Sequence, residues 1–224
     1  MVTLLIVSEP DIASTIQGDA LLARGGWVEK SNVEGGRVWK HENKDVWLWW
    51  FGEGFLMEDG LDERFSSSID HTVDEVIFLS RHYAASGRPS LTLHVLGVPG
   101  EYPHGERAQH GGIKGKVMLP NPRFASWYRL MCDAAHRHEL VPEFELTIET
   151  THHGPCLEVP TMFIEIGSSE THWGRVDAAE AWADVMEIGL GLDGGSGVGE
   201  WIPTSSNEKG AAKVMLGIGG GHYA

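Results

Sequence analysis

The chain has 224 residues, of which 42% are hydrophobic and 22% are charged, and its formal net charge is -15. This composition is typical of an ordinary globular protein that buries a substantial core. The negative charge repels nucleic acid at long range, so RNA binding requires a local reversal of charge. The apolar runs, such as Val46–Phe51, fall far short of the roughly 20 residues of a membrane span. We therefore expect no membrane helix.

The N-terminus and the cysteines favour the cytoplasm. The first apolar segment has no preceding positive charge and no small-residue cleavage site, so it predicts a strand and not a signal peptide. The two cysteines, Cys132 and Cys156, show no paired spacing, which is typical of a reducing compartment. Any metal site would therefore depend on histidine and carboxylate ligands. We expect a single domain over residues 1–224.

The first fifty residues predict a strand, a helix and a hairpin. Residues 3–9 form an apolar run of buried-strand length. A helix should follow, with Ser8 as a possible cap, Pro10 in the first turn and a stop at residues 25–26, which are both glycine. Residues 36–52 read as two strands joined by a polar turn.

The remainder of the chain continues the alternation of strands and helices. Helices are predicted over residues 121–140, with Asn121 as cap, and over residues 176–191, with Asp177 and Glu180 in capping-box spacing. Further strands are predicted at 74–82, within 86–97 after a turn at 87–89, and at 142–153, 160–167 and 213–224. This order indicates an α/β fold with three α/β/α layers and a mixed, mostly parallel sheet. The glycine-rich residues 189–199 are interpreted as a flexible connection.

Histidines stand at the predicted strand ends. Ligands of open α/β sheets bind outside the carboxyl ends of the strands, where His82, His152, His153 and His222 are expected. His94 lies in or near the end of its strand. Adjacent strand residues point to opposite faces, so His152 and His153 can share a site only if the backbone has left the strand before them. The glycine and proline that follow make this departure plausible, although a structural role remains an alternative for each histidine.

One stretch of the chain reverses the overall charge. Between residues 107 and 137 the acidic side chain is Asp133. The basic residues there are Arg107, Lys114, Lys116, Arg123, Arg129 and Arg137. This pattern fits either a solvated surface or a patch that contacts phosphates.

Four motifs resemble a known family. They are IFLSRHYAASGRPSLTLHVLG at 77–97, ETTHHGP at 149–155, PTMFIEIGSSETHW at 160–173 and GIGGGHYA at 217–224. In this order they resemble the D-aminoacyl-tRNA deacylases of archaeal and plant type. The resemblance implies hydrolysis of the ester between a D-amino acid and the 3′-terminal ribose of tRNA, and a fold similar to those of peptidyl-tRNA hydrolase and the purine nucleoside phosphorylases. It also implies zinc, with two ions per subunit.

Two mechanisms follow from the resemblance. In the first, zinc held by two or three of the site residues delivers hydroxide to the ester. In the second, the protein contributes no nucleophile and orients the ester, a water and the ribose 2′-hydroxyl, and backbone N–H groups near residues 167–169 stabilise the oxyanion. The catalytic candidates are His94, His153, Glu165 and His222. The metal candidates are His94, His152, His153 and His222. The candidates for binding substrate or tRNA are Arg81, His82, Arg88, Lys114, Lys116, Ser168 and Ser169. With the resemblance, the basic stretch from Arg107 to Arg137, together with Arg81 and Arg88, is the predicted track for the acceptor-stem phosphates.

Two other functions remain open at this point. One is a peptidyl-tRNA hydrolase-like enzyme that acts on N-blocked aminoacyl-tRNA, and the other is a nucleoside- or RNA-binding module without catalysis. The expected partner is aminoacyl-tRNA, and we expect a monomer or homodimer without an obligate protein partner.

Overall fold

The computed structural model describes residues 1–102, 110–200 and 217, and the strands within them form one large sheet and one small ribbon. The strands are β1 Thr3–Ser8, β2 Trp27–Val33, β3 Gly36–His41, β4 Val46–Phe51, β5 Glu75–Arg81, β6 Ser90–His94, β7 Gly97–Val98, β8 Lys116–Val117, β9 Glu145–Ile148 and β10 Thr161–Gly167. The helices are α1 Ile12–Ala23, α2 Leu61–Ile69, α3 Phe124–Arg137, α4 Glu170–Trp173 and α5 Val176–Leu190.

The large sheet has eight strands in the order β2-β3-β4-β1-β5-β10-β6-β9. Its centre, from β4 to β10, is parallel. The hairpin β2-β3 adds antiparallel strands at one edge, and β6 runs antiparallel to β10 with β9 parallel to β6. The predicted mixed, mostly parallel α/β sheet is therefore confirmed.

The two faces of the sheet are covered by different layers. Leu5 and Val7 of β1 point toward α1, α3 and α5, whose Trp127 and Trp182 belong to the same apolar cluster. The alternate residues of β1 point to the other face, where Phe65 of α2 and several loop side chains cover them. Because strand side chains alternate between faces, a strand buried on both sides reads as one apolar run. Within the described residues, no helix combines the length and apolar character that crossing a membrane requires.

The first helix begins later than predicted. Its cap is Asp11, whose Oδ1 accepts hydrogen bonds from Ala13 N at 2.9 Å and Ser14 N at 3.3 Å. Ser8 is still part of β1, and its hydroxyl donates to Glu53 O. The prediction of Ser8 as the cap was therefore wrong, because Asp11 stands at the required distance from the first free N–H groups.

Several other boundaries differ from the predictions. Asn121 accepts a hydrogen bond from Arg123 N at 2.9 Å, and α3 begins only at Phe124. Asp177 lies inside the first turn of α5, where it pairs with Arg175, so it is not the cap. The strand β2 and the helix α2 were not predicted. The predicted last strand at 213–224, with His222, lies outside the described residues except for Gly217.

The glycine-rich residues 189–199 begin inside α5 and fold back on it. Val198 N donates to Gly189 O at 2.9 Å, and Arg123 Nη1 donates to the carbonyl oxygens of Gly189 and Val198, each at 2.9 Å. The segment is thus tied to the start of α3. Its flexibility and the single-domain organisation of the chain stay predictions.

Candidate active site and metal centre

A cluster of histidines and carboxylates lies on the α2 side of the sheet. Phe163 and Glu165 of β10 point to this face, and their partners on β6 in the register are His94 and Thr92, respectively. His82 directly follows β5, which is the other neighbour of β10. All of these side chains are buried. Three adjacent strands therefore place an acid and two imidazoles on one patch of the sheet.

The chain after β9 brings two more histidines to this patch. His152 forms a parallel bridge with Leu96, and His153 has a φ of 45°, so the backbone has left the strand. The rings of His152 and His153 lie 4.2 Å and 4.8 Å from that of His94, measured between centroids. His152 and His153 can therefore share one site, because the backbone has left the strand before them, as the sequence required.

Three of these imidazoles use Nδ1 for a hydrogen bond to a backbone carbonyl oxygen and leave Nε2 for a ligand. Nδ1 of His94 lies 3.1 Å from Val95 O, Nδ1 of His152 lies 2.7 Å from Thr150 O, and Nδ1 of His153 lies 2.7 Å from Gly154 O. A carbonyl oxygen only accepts, so each Nδ1 carries the proton and each neutral ring has its lone pair on Nε2. Histidine ligands of metals are oriented by this kind of hydrogen bond. One potential ligand atom from each ring lies within 4.8 Å of the others.

A second donor set contains the carboxylates. His82 Nδ1 lies 3.1 Å from Glu149 Oε1 and 3.6 Å from Glu165 Oε2. One atom from each of these residues lies within 4.8 Å of the others. Glu149 Oε2 also lies 3.5 Å from His152 Nε2, so Glu149 connects the two sets. Glu149 was missed by the sequence predictions, although it stands directly after a strand and three residues before His152.

The environment shifts the pKa values of the cluster. Burial alone would raise the pKa of Glu165, but the nearby imidazoles of His82 and His94 outweigh it by their charge and hold this pKa below its usual range. Burial opposes protonation of His82 and His94, yet Glu165 and Glu149 raise the pKa of both rings. Burial and the charges of the other two imidazoles lower the pKa of His152. The site therefore combines an ionised carboxylate, Glu165, with a neutral imidazole, His152.

The residues present fit a zinc ion by their chemistry. Imidazole nitrogens and carboxylate oxygens are preferred zinc ligands. His94 Nε2 is fully buried and has no hydrogen-bond partner within the described residues, and its distance of 3.8 Å to Glu165 Oε1 is too long for a hydrogen bond. A buried polar atom without a partner costs free energy that ligation would recover.

A cavity of about 160 Å³ adjoins the cluster. His153 and Glu165 line it on the side of the cluster. Ser8, Asp11, Ser80 and Arg81 line it at the carboxyl ends of β1 and β5. Burial raises the pKa of Asp11, although hydrogen bonds and the charge of Arg81 oppose this shift. The cavity therefore lies at the carboxyl ends of the parallel strands, where ligands of α/β sheets bind. The histidines of the cluster lie on the adjoining face of the sheet.

The residues predicted to bind substrate or tRNA do not form one group, because some lie at the site and others are paired with acids. His82 belongs to the cluster, and Arg81 lines the cavity. Arg88 is exposed and pairs with Glu145 at 2.9 Å. Lys114 pairs with Glu101, and Lys116 pairs with Glu158 at 3.2 Å. Acids thus accompany three of the predicted phosphate contacts.

Two serines and the remaining basic residues complete the placement. Ser168 is buried with its Oγ 3.0 Å from Ser90 Oγ, and Ser169 precedes α4 with its Oγ 3.0 Å from His172 Nδ1. Arg123 is buried against Glu75, so its assignment to a phosphate-contacting patch was wrong. His222 and Arg107 lie outside the described residues.

Comparisons with known proteins identify the family. Residues 69–224 match the family model described as D-aminoacyl-tRNA deacylase. A D-aminoacyl-tRNA deacylase from Arabidopsis thaliana is 46% identical over 224 residues, which are 100% of this chain and 69% of that protein. One from Archaeoglobus fulgidus is 32% identical over 222 residues, which are 99% of this chain and 70% of that protein.

A solved structure agrees with these sequence relatives. The crystal structure of a conserved protein of unknown function superposes with a TM-score of 0.71 at 32% identity, covering 83% of this chain and 61% of that chain. The resemblance predicted from the four motifs is confirmed. This chain belongs to the D-aminoacyl-tRNA deacylase family.

Proposed function

We propose that this chain hydrolyses the ester bond of D-aminoacyl-tRNA and releases the free D-amino acid and tRNA. Family membership supports the reaction. The observation that carries it in the structure is the set of three imidazoles with Nδ1 on backbone carbonyls, beside a cavity that Glu165 and His153 line. Histidines oriented in this way, next to an ionised carboxylate, are suited to hydrolysis.

Zinc is the proposed cofactor, with two ions per subunit as the family resemblance implies. His94, His152 and His153 would hold one ion, and His82, Glu149 and Glu165 would hold or orient the other. Zinc would supply Lewis-acid stabilisation of the ester carbonyl and would activate water at neutral pH. The short separation of the ring and carboxylate atoms supports both assignments.

The side chains of the protein would position the water and move its proton. Glu165 is held ionised by His82 and His94, so it can accept a hydrogen bond from a water in the cavity. The water oxygen attacks the carbonyl carbon, and the bond from that carbon to the ribose 3′-oxygen breaks. The proton passes through Glu165 to the leaving 3′-oxygen, which balances the reaction. Burial of the cluster limits competing bulk water.

The direct test measures release of labelled D-tyrosine from D-Tyr-tRNA, with and without a chelator. We expect hydrolysis of D-Tyr-tRNA in preference to L-Tyr-tRNA, and loss of turnover after chelation while the circular dichroism spectrum stays that of a folded protein. Zinc content, measured by plasma mass spectrometry, should fall with the activity and recover on adding zinc.

Each alternative gives a different result in this test. Full turnover without detectable zinc would remove the metal from the reaction and favour the mechanism that only orients the substrate. Preference for N-acetyl-L-aminoacyl-tRNA would support the peptidyl-tRNA hydrolase-like function. Retention of tRNA without any deacylation would support the non-catalytic module.

Gly167 should be required for the position of His82. A Cβ atom at residue 167 would lie 2.7 Å from Cδ2 and 2.8 Å from Cβ of His82, and 2.7 Å from Ser90 Oγ, so both side chains have to move. Since a displacement of about 1 Å in a catalytic site costs on the order of 10²-fold in rate, we expect Gly167→Ala to lower kcat/KM for D-Tyr-tRNA by roughly that factor. Steady-state kinetics on the purified variant measure the effect.

The matched control for this variant is Gly52→Ala. Gly52 has no atom within 4 Å of an added Cβ and no positive φ, so its substitution tests the general cost of an added methyl group. Equal activity of Gly167→Ala and the wild-type protein would show that turnover does not depend on the present position of the His82 ring.

A further inference from the structure

Arg81 differs from most arginines of this acidic chain. The arginines that pair with a carboxylate are Arg24, Arg64, Arg88, Arg123, Arg137 and Arg175. Among the residues that the structure describes, the Arg81 guanidinium has no carboxylate within 4.0 Å, and its backbone N–H donates to Asp11. A permanent positive charge is thus left available beside the cavity.

The Arg81 side chain is held by stacking. Its guanidinium carbon lies 4.9 Å from the ring centroid of Trp173. Trp173 is itself fixed, because its Nε1 donates to His82 O at 2.8 Å. Stacking on an indole orients a guanidinium without occupying its N–H donors. Arg81 is therefore pre-organised to bind an anion at the edge of the site.

Tyr83, which follows His82 in the sequence as Arg81 precedes it, has an exposed aromatic side chain. Its exposed fraction is 73%, although the backbone around it is fixed. His82 N donates to Ile166 O at 2.9 Å, and Ala84 N donates to Ser168 O at 3.2 Å. These bonds tie the segment to the end of β10. The chain thus presents a solvated ring from a firmly held backbone, one residue after His82 of the buried cluster.

We propose that Arg81 and Tyr83 form the docking site for the 3′-terminal nucleotide of tRNA, with Arg81 on its phosphate and Tyr83 stacked on its base. The inference rests on the proposed function, because the scissile ester is attached to the ribose of that nucleotide. If the aminoacyl group enters the cavity that Glu165 and His153 line, the ribose stands at the mouth. The phosphate and the base of the same nucleotide are attached to this ribose, so they lie close to the mouth of the cavity.

General features of RNA recognition agree with this docking site. Unpaired ends of RNA are bound by stacking of bases on aromatic side chains and by arginine contacts to phosphate. The chain carries a net charge of -15, so long-range attraction cannot concentrate tRNA and local contacts have to fix its end. Of the predicted basic contacts, Arg88, Lys114 and Lys116 pair with acids, whereas Arg81 remains available.

The experiment compares Arg81→Gln and Tyr83→Ala with a matched control, Arg37→Gln. Arg37 is an exposed arginine that also stacks on tryptophan, 5.2 Å from Trp39, but it extends from β3 near the opposite face of the sheet. Binding of the labelled trinucleotide CCA is measured by fluorescence anisotropy. Kinetics are measured with D-Tyr-tRNA and with D-tyrosine methyl ester, which has no nucleotide.

We expect each site variant to weaken trinucleotide binding and raise KM for D-Tyr-tRNA by on the order of 10-fold, the typical effect of losing one stacked base or phosphate contact. Turnover of the methyl ester should not change in Tyr83→Ala, because Tyr83 does not line the cavity. Arg37→Gln should behave as the wild type in every measurement. In Arg81→Gln, the slope of log binding constant against log salt should decrease by about 0.7, the value for one phosphate contact on a single strand.

The outcomes separate the two proposals. Wild-type binding of CCA by both variants, with unchanged KM for D-Tyr-tRNA, would overturn the docking site while the deacylase function stands. Loss of methyl ester turnover in Tyr83→Ala would also overturn it, because the ring of Tyr83 would then act in the chemistry and not in nucleotide binding. Binding of CCA that depends on Arg81 and Tyr83, in a protein without deacylase activity, would support the docking site and overturn the proposed function.

Discussion

Replacement of Glu165 by glutamine is expected to lower kcat/KM for D-Tyr-tRNA by about 10²- to 10⁴-fold, the range for loss of a group that transfers a proton. The carboxylate lies 3.6 Å from His82 Nδ1 and 3.8 Å from His94 Nε2, and it lines the cavity. The amide keeps the shape of the side chain but removes the negative charge and the proton acceptor. Single-turnover hydrolysis of labelled D-Tyr-tRNA measures the loss.

The fold should survive this substitution. The backbone carbonyl of Glu165 accepts a hydrogen bond from Trp182 Nε1 at 3.1 Å, which the amide leaves intact. Glu143→Gln is the control, because Glu143 is an exposed acid that pairs with Arg175 away from the cavity. Zinc content and the thermal midpoint are measured on both variants. A reduction of less than about threefold in Glu165→Gln would exclude this residue from proton transfer.

The central sheet could be predicted because its strands are buried on both faces. β1, β4, β5 and β10 read as apolar runs bounded by polar residues, and such runs fix a strand without knowledge of its neighbours. β2 has an exposed, polar pattern, so nothing in its composition separates it from a loop. It is a strand because its hydrogen bonds to β3 satisfy the backbone.

The candidate site could be predicted only in part. Polar residues at strand ends identified His82, His94, His152 and His153, and the structure brings these together. Glu149 was not identified, because its role depends on the position of β9 beside β6 and on the direction of β6. Strand order and direction are properties of the whole sheet, and a local pattern does not contain them.

The same limitation explains the error about Arg123. In the sequence it belongs to a basic stretch, and only the assembled fold shows that it meets Glu75, which lies 48 residues earlier. Arg123 Nε donates to Glu75 Oε1 at 2.8 Å, and Thr3 and Asn121 also donate to this carboxylate. Both members of the pair are almost fully buried. The pair connects β1, β5, α3 and the glycine-rich segment after α5.

Arg123→Met is therefore expected to lower the free energy of unfolding by about 3–5 kcal/mol, because it leaves the Glu75 carboxylate buried without its cation. Arg137→Met, which breaks an exposed pair with Asp184, should cost only about 0–1 kcal/mol. Urea denaturation followed by fluorescence measures both values. Adding Glu75→Gln to Arg123→Met should recover part of the loss, since a neutral amide costs less to bury than a carboxylate. If the double variant were less stable than Arg123→Met alone, uncompensated charge would not be the cause of the destabilisation.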